Sequence, residues 1–533
     1  MSTNFFSESK SLYLLFAAIP AVALPLAAQE VETATTPRHA EASMPKTSQD
    51  TPSDERISEA IEDELLLDRA VPSHRIDVVT QDGVVTLSGR TDNLLASERA
   101  ATIARTVRGV RAVIDRIDVT PPDDLSAAEI ERSVERALLT DPATDSYEVD
   151  VSVATGGVVT LSGTVQSWAE RSLAEHVAAG VTGVTKVVNT ITVDYRTNRT
   201  DAEIVNDVQQ RLRWHVLIDD GLIDVTCKDG KLELSGTVGS AAERSRARTC
   251  SWVAGVRDVD AEGLEVARWA RDEMLRGSKY AVRSDEQIRE AVQAALRHDP
   301  RVSRFDVIVA VDRGEVTLRG EVDNLKARRA AAQDARNTVG VTMVQNRLKV
   351  EPENPLSSVI VAKDVEAALR RDPYVDADDV SVTVHNGTAR LFGRVDTNYQ
   401  RACADDAASR VPGVVEVENL IAVRDGAHSP FDPWVDTTPL YAYGWYRYEP
   451  WRTFDSDDEI ERRIEEELWW SPYVDSGDVT VAVVGGIANL SGEVHSASER
   501  LAATENAYEG GAVWVNNDLE IVGQEKADGS GSQ

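Results

Sequence analysis

The side chains most able to do chemistry are few and scattered. The eight histidines are His39, His74, His176, His215, His298, His385, His428 and His495, and none has another histidine or a cysteine at metal-ligand spacing. The three cysteines, Cys227, Cys250 and Cys403, form no C-x-x-C pair. Acidic doublets such as Asp219-Asp220, Asp378-Asp379 and Asp457-Asp458 sit at element boundaries, where they read as solvated turns or helix starts rather than as catalytic dyads. There is no phosphate-cradling loop, dinucleotide fingerprint, nucleophile elbow or H-E-x-x-H helix. Nothing pairs a nucleophile with a base. The sequence therefore implies no enzyme, no cofactor and no metal.

Charge carries more information. The chain has 533 residues with 90 acidic and 57 basic side chains, a formal net charge of -33. That argues against a nucleic-acid partner, since affinity for phosphate backbones comes from a positive surface. The charge is unevenly spread. From Asp455 to Gly523 there are sixteen acidic and three basic residues. From Asp285 to Glu351 there are eleven and twelve, and the preceding stretch Ala267 to Arg283 adds two and five. A basic island thus stands in an acidic chain.

The elements that hold these groups recur six times. Glycine pairs six residues apart occur at Gly83/Gly89, Gly157/Gly163, Gly230/Gly236, Gly314/Gly320, Gly387/Gly393 and Gly486/Gly492. Nineteen or twenty residues later comes another glycine: Gly109, Gly183, Gly255, Gly340, Gly413 or Gly511. An alanine stands eleven residues after each second glycine, from Ala100 to Ala503. Such fixed offsets mark a structural repeat.

The fourth copy gives its order. Ser284-Asp285 starts a helix with Ile288, Val292 and Leu296 on one face, and Asp299-Pro300 stops it. Phe305, Val307, Val309 and Val311 alternate as a strand, and Asp312-Arg313-Gly314 turns. The next strand has Val316, Leu318 and Val322 on one face and Thr317, Arg319 and Glu321 on the other. Gly320 is expected on the apolar face, where it lets a helix approach closely. A second helix is expected from about Asn324 to Val339, with Ala327, Ala331 and Ala335 inward and Gly340 ending it. Val344, Leu348 and Val350 mark a third strand, parallel to the second because a helical crossover precedes it. The fold class is α+β: tandem αββαβ units, each a three-stranded mixed sheet with two helices on one face and the far face solvated.

The hydrophobic-Thr/Glu-Leu-Ser-Gly-x-Val strand, the alanine-rich helix and the Gly-Val-x-x-Val-x-Asn exit (Gly183-Val184 to Asn189, Gly340-Val341 to Asn346) resemble the BON domain, a family found in osmotically inducible periplasmic proteins and nodulation proteins. The resemblance runs from about Asp54 to Gly523. It implies a non-catalytic envelope protein that attaches to phospholipid surfaces and supports envelope integrity under osmotic stress. The alternatives are a scaffold for other envelope proteins without lipid binding, and a cell-wall or glycan binder. On the lipid reading, the basic island supplies the contacts with anionic phospholipid: Arg268, Trp269, Arg271, Arg276, Lys279, Arg283, Lys326, Arg328 and Arg329.

The domain expectations follow. Residues 1–28 read as a signal peptide: Lys10, an apolar run from Leu12 to Leu26, then Ala27-Ala28, with an uncleaved anchor as the alternative. Export implies the periplasm. Residues 29–53 form a tether, and the six units are expected at 54–120, 124–195, 200–267, 284–351, 356–424 and 455–523. A basic linker at 268–283, an insert at 425–454 and a tail at 524–533 complete the chain. The insert is rich in aromatics, including Trp434, Trp445 and Trp451, with Trp469, Trp470 and Tyr473 following in the sixth unit. These aromatics read as packing over neighbouring units, or as a membrane belt or sugar platform. Cys227 shares the inward face of its strand with Ile223 and Val225, and Cys250 lies near the inner stripe of the following helix. The two are placed to form a disulfide in an exported protein, the alternative being two buried thiols.

Overall fold

The computed structural model describes residues 52–68, 70–121, 125–144, 148–195, 199–267, 270, 283–352, 356–424, 456–471, 473–512 and 514–522. The signal segment, most of the tether, Arg268, Trp269, Arg271, Arg276, Lys279, the aromatic insert and the tail lie outside these residues.

Each repeat follows the expected order, and repeat 4 shows why. Ser284 caps the first helix (Asp285–His298) by accepting the Gln287 N–H at 3.3 Å, while the Gln287 side chain accepts the Ser284 N–H at 3.2 Å. Ile288, Val292 and Leu296 are its buried stripe. At its end Asp299 accepts the Arg301 N–H at 2.8 Å, turning the chain out of the helix. Strand Ile308–Asp312 pairs antiparallel with Glu315–Val322, which pairs in parallel with Met343–Val350. The turn between the first two strands needs positive φ at Arg313 (52°) and Gly314 (77°). Val316, Leu318 and Leu348 face the helices, while Thr317, Arg319, Arg347 and Lys349 face outward.

Two expectations are corrected. A Cβ at Gly320 would meet the backbone carbonyl of Asp306 at 2.8 Å, so the glycine makes room for the segment that leads into the first strand rather than for a helix. Its φ of 129° also excludes an ordinary side chain. The second helix ends at Arg336, four residues before Gly340. Gly340 instead passes beneath the first helix, where a Cβ would stand 2.9 Å from Ile288.

Two polar devices tie the elements together. In repeats 1, 3, 4 and 6 the first helical residue is an aspartate (Asp54, Asp201, Asp285, Asp457). Its carboxylate accepts two consecutive N–H groups of the hairpin turn, at 2.9 and 3.0 Å from Arg313 and Gly314 in repeat 4. Repeats 2 and 5 have Ala127 and Ser358 there. The exit-motif asparagine joins the second helix to the third strand: Asn189, Asn346, Asn419 and Asn517 donate to the carbonyls of Arg171, Arg328, Arg401 and Arg500 at 2.6–3.0 Å.

The repeats do not lie as a simple row of neighbours. Repeat 2 meets repeat 5: Arg136 pairs with Asp364 at 3.1 Å, and the Thr182 N–H donates to the Arg371 carbonyl at 2.8 Å. Repeats 3 and 4 exchange backbone bonds, Val216 N–H to Asn337 carbonyl at 3.1 Å and Val339 N–H to Trp214 carbonyl at 2.9 Å. Val216, Leu217 and Val339 also join the core of repeat 6. Repeat 1 touches repeat 6 through Trp470, which packs against the repeat 1 core. Trp168 of repeat 2 stacks on Trp252 of repeat 3, with ring centroids 5.1 Å apart.

Candidate functional site: a basic sheet face and the junctions behind it

The second helix of repeat 4 (Leu325–Arg336) buries more than its alanine stripe; Leu325, Lys326, Ala330 and Ala332 are also covered. Lys326 is only 6% exposed, and its Nζ donates to Asp406 of repeat 5 at 2.6 Å. Arg329 pairs with the adjacent Asp405 at 2.5 Å. Asp406 also pairs with Arg410 at 2.7 Å, and Arg410 reaches Asp141 of repeat 2 at 3.4 Å. Burial alone would raise the Asp406 carboxyl, but Arg410 and Lys326 hold it well below the usual carboxylate range. These side chains form a charge ladder through repeats 4, 5 and 2.

The predicted lipid-contact residues are thus divided. Lys326 and Arg329 belong to the junction with repeat 5. Arg283 lies over the Trp214 ring of repeat 3, 5.6 Å from its centroid. Arg328 is half-buried beside the sheet. The other five lie outside the described residues.

The outer sheet face of repeat 4 presents a basic group that the charge count did not single out. Arg319 and Arg347 stand side by side on adjacent strands, in one row with Ile308. Lys349 lies two residues further along the same face, opposite Glu321. Ile308 and Met343 are exposed there, at 63% and 52%. Asp312, Glu315 and Glu321 share this face; Glu315 is engaged by the Gln345 amide, and Glu321 stands opposite Lys349. The signal was present in the alternation that put Thr317 and Arg319 on the outward side; the missing piece was register with Arg347, which only strand pairing supplies.

The outer sheet face of repeat 6 differs. Val484, Ile487 and Trp514 form one exposed row across its strands, and the next row is Ala482, Asn489 and Asn516. Asn516 donates to Asn489 at 2.9 Å, and the Trp514 indole N–H donates to Asn516 at 3.1 Å.

A six-fold αββαβ unit with the same glycine, alanine and asparagine positions fixes the family. The BON domain model matches residues 53–121, 126–195, 200–268, 284–352, 357–425 and 456–523. The chain belongs to the BON domain family. Two relatives are similar over about two repeats' length. The outer membrane lipoprotein DolP of Haemophilus influenzae is 32% identical over 170 residues, which is 31% of this chain and 85% of that protein. The osmotically-inducible protein Y of Escherichia coli K12 is 33% identical over 146 residues, 26% of this chain and 73% of that protein. Two solved structures of CdsD, a structural protein of the type III secretion system of Chlamydia trachomatis, align with a TM-score of 0.12 at 14% identity, covering 38% and 44% of this chain and 90% and 96% of those chains.

The aromatics at the start of the sixth BON domain are packing groups. Trp469 and Trp470 meet edge to face at 4.7 Å, Arg108 of repeat 1 lies 4.1 Å over Trp469, and Arg246 of repeat 3 lies 5.5 Å over Tyr473. The cysteines are free thiols, so the disulfide is not formed. Cys227 is under the start of the first helix, where its thiol donates to Asp201 at 3.3 Å, whereas Cys250 ends the second helix. Among the described residues no helix is long and apolar enough to cross a membrane. No group of three or more His, Cys, Asp or Glu among them is placed to hold a metal.

Proposed function

We propose that this BON protein is an exported, non-catalytic component of the periplasm that rests on anionic phospholipid and supports envelope integrity under osmotic stress. The observation that carries the reading is the outer sheet face of repeat 4, where Arg319 and Arg347 stand in one row with exposed Ile308 and Lys349 lies two residues further along. Basic groups beside apolar side chains suit a headgroup layer. The net charge of -33 opposes this, but the Debye length in physiological salt is only about 8 Å, so distant acids are screened. Three basic groups at about 1 kcal/mol each give weak, salt-sensitive attachment. The names of the two relatives, an outer membrane lipoprotein and an osmotically inducible protein, agree with an envelope setting.

The test is co-sedimentation of the full chain with vesicles. It is expected to bind vesicles containing phosphatidylglycerol, to release them as salt rises, and to lose them when Arg319, Arg347 and Lys349 are changed to Glu. Unchanged binding by that triple variant would overturn the assignment to repeat 4. Absence of binding to any vesicle would favour the second reading, a protein scaffold, for which the uncharged row Val484, Ile487 and Trp514 is the supporting observation.

A further inference from the structure

Asparagine is depleted in strands, because its short amide competes with the backbone for hydrogen bonds. Repeat 6 nevertheless sets two of them side by side on its outer sheet face, Asn489 on strand Ile487–Val494 and Asn516 on strand Trp514–Asn517. No other repeat has an asparagine at either position; repeat 1 has Thr86 and Ile114 there, and repeat 5 has Arg390 and Glu418.

Stability does not explain the pair. Asn516 donates to Asn489 at 2.9 Å. The other contacts of Asn489, to the carbonyls of Ala482 and Ile487, are long at 3.3 and 3.5 Å. An asparagine amide offers two donors and two acceptor lone pairs, so both residues keep unused capacity on an open face. A local rule broken without a structural gain marks a functional position.

Trp514 stands beside them, 48% exposed. Its indole N–H donates to Asn516 at 3.1 Å, which fixes the ring next to the amides. Val484 and Ile487 extend the row as further apolar surface. On the far side of the amides the next row holds the hydroxyls of Thr480 and Ser491. Successive outward residues stand about 7 Å apart along a strand, so the face offers an apolar step, an amide step and a hydroxyl step in order.

That order suits a sugar chain. A pyranose ring has a face of C–H groups that stacks on an indole, and a rim of polar groups that hydrogen bonds must satisfy. An N-acetylated sugar adds an acetamido group, a donor and acceptor matched to the asparagine amide, with a methyl group suited to Ile487. Charge selects a neutral chain. From Asp455 to Gly523 there are sixteen acidic and three basic residues, and Glu493 and Glu520 lie on this same face, so an anionic polysaccharide is repelled. We propose that the outer sheet face of repeat 6 binds a neutral chain of N-acetylhexosamine units, one ring stacked on Trp514 and the acetamido groups on Asn489 and Asn516. The face is separate from the basic sheet of repeat 4, so this assignment and the lipid reading can fail independently.

Titration calorimetry of the full chain with tetra-N-acetylchitotetraose tests it, beside cellotetraose, which has the same backbone without acetamido groups. The N-acetylated chain is expected to bind saturably at one site, with cellotetraose about tenfold weaker. Trp514→Ala is expected to abolish binding, whereas Trp514→Tyr, which keeps a stacking face, retains most of it. Asn489→Ala with Asn516→Ala is expected to bring the N-acetylated chain down to the cellotetraose level. Phe392→Ala, on the outer sheet face of repeat 5, is expected to change nothing. Lack of saturable binding overturns the proposal and leaves the face to a protein partner. Equal binding of cellotetraose, or binding that survives Trp514→Ala, overturns it as well. Should Trp514→Ala loosen repeat 6, Trp514→Tyr and the comparison of the two sugars on the unaltered chain decide.

Discussion

The helix face and the sheet face of repeat 4 carry similar basic residues put to opposite uses. On the helix face, Lys326 and Arg329 meet Asp406 and Asp405 at 2.6 and 2.5 Å and are largely withdrawn from water. On the sheet face, Arg319 and Arg347 sit side by side in the open, with no carboxylate between them. A basic island in a sequence is thus a sum over two surfaces. One set holds repeats together; the other is available to something outside.

The largest expected effect tests the inner set. Asp406→Ala strands Lys326 and Arg410 at a junction of three repeats. Breaking a buried pair in this way costs about 3–5 kcal/mol. Urea denaturation followed by tryptophan fluorescence is expected to show a lower midpoint or a separate early transition; a curve superimposable on the parent would show that the ladder does not couple the repeats.

An intermediate effect distinguishes the inner surfaces from the outer by pH. Burial, then Glu509, pushes the Glu467 carboxyl up to about 8, and burial followed by Glu467 raises Glu64 across the junction of repeats 1 and 6. Glu505, 2% exposed, is raised by burial and by Glu509. A carboxyl with a raised folded pKa binds protons more tightly when folded, so stability falls as pH rises from the ordinary carboxylate range through the folded value. The melting temperature is expected to drop between pH 6 and pH 8.5. Glu505→Gln, which keeps the shape without the charge, is expected to raise it at pH 8.5 and to change it little at pH 5. A melting temperature that climbs across this interval would contradict the buried carboxyls.

The smallest effect on stability belongs to the outer set. Arg319→Glu with Arg347→Glu is expected to shift stability by no more than about 0.5 kcal/mol, as exposed substitutions do. Its effect should appear instead in vesicle binding. A large loss of stability from this pair would mean that the sheet face is not a free surface.

Much of the single repeat was legible in the sequence. Capping residues, the four-residue spacing of Ile288, Val292 and Leu296, and the alternation around Leu318 are local signals, and the structure uses them as read. The glycines were found but partly misassigned: Gly320 and Gly340 answer to the Asp306 carbonyl and to Ile288, contacts that no local pattern names. The aspartate brace was read only as a helix start, because its acceptor role depends on a turn 28 and 29 residues away. The site was less legible still. Lys326 and Arg329, three apart on a helix, look like a solvated face, and their partners lie 80 and 76 residues further on. Pairings over such distances depend on which repeats meet, and alanine-rich helix backs are too alike to encode that visibly.

The junction of repeats 2 and 5 has a consequence for how the molecule assembles. Thr182 waits for Arg371, 189 residues later, and Arg136 for Asp364, 228 residues later. Each hairpin and its helices can form from local contacts, quickly. Docking between distant repeats must follow, and contacts of large sequence separation are slow to form. Refolding should therefore be biphasic, with secondary structure recovered before the charge ladder closes. In the interval the early repeats expose the aliphatic helix backs around Leu95 and Val177 that later partners cover. During synthesis repeats 1 and 2 stand in that unfinished state until repeat 5 has emerged.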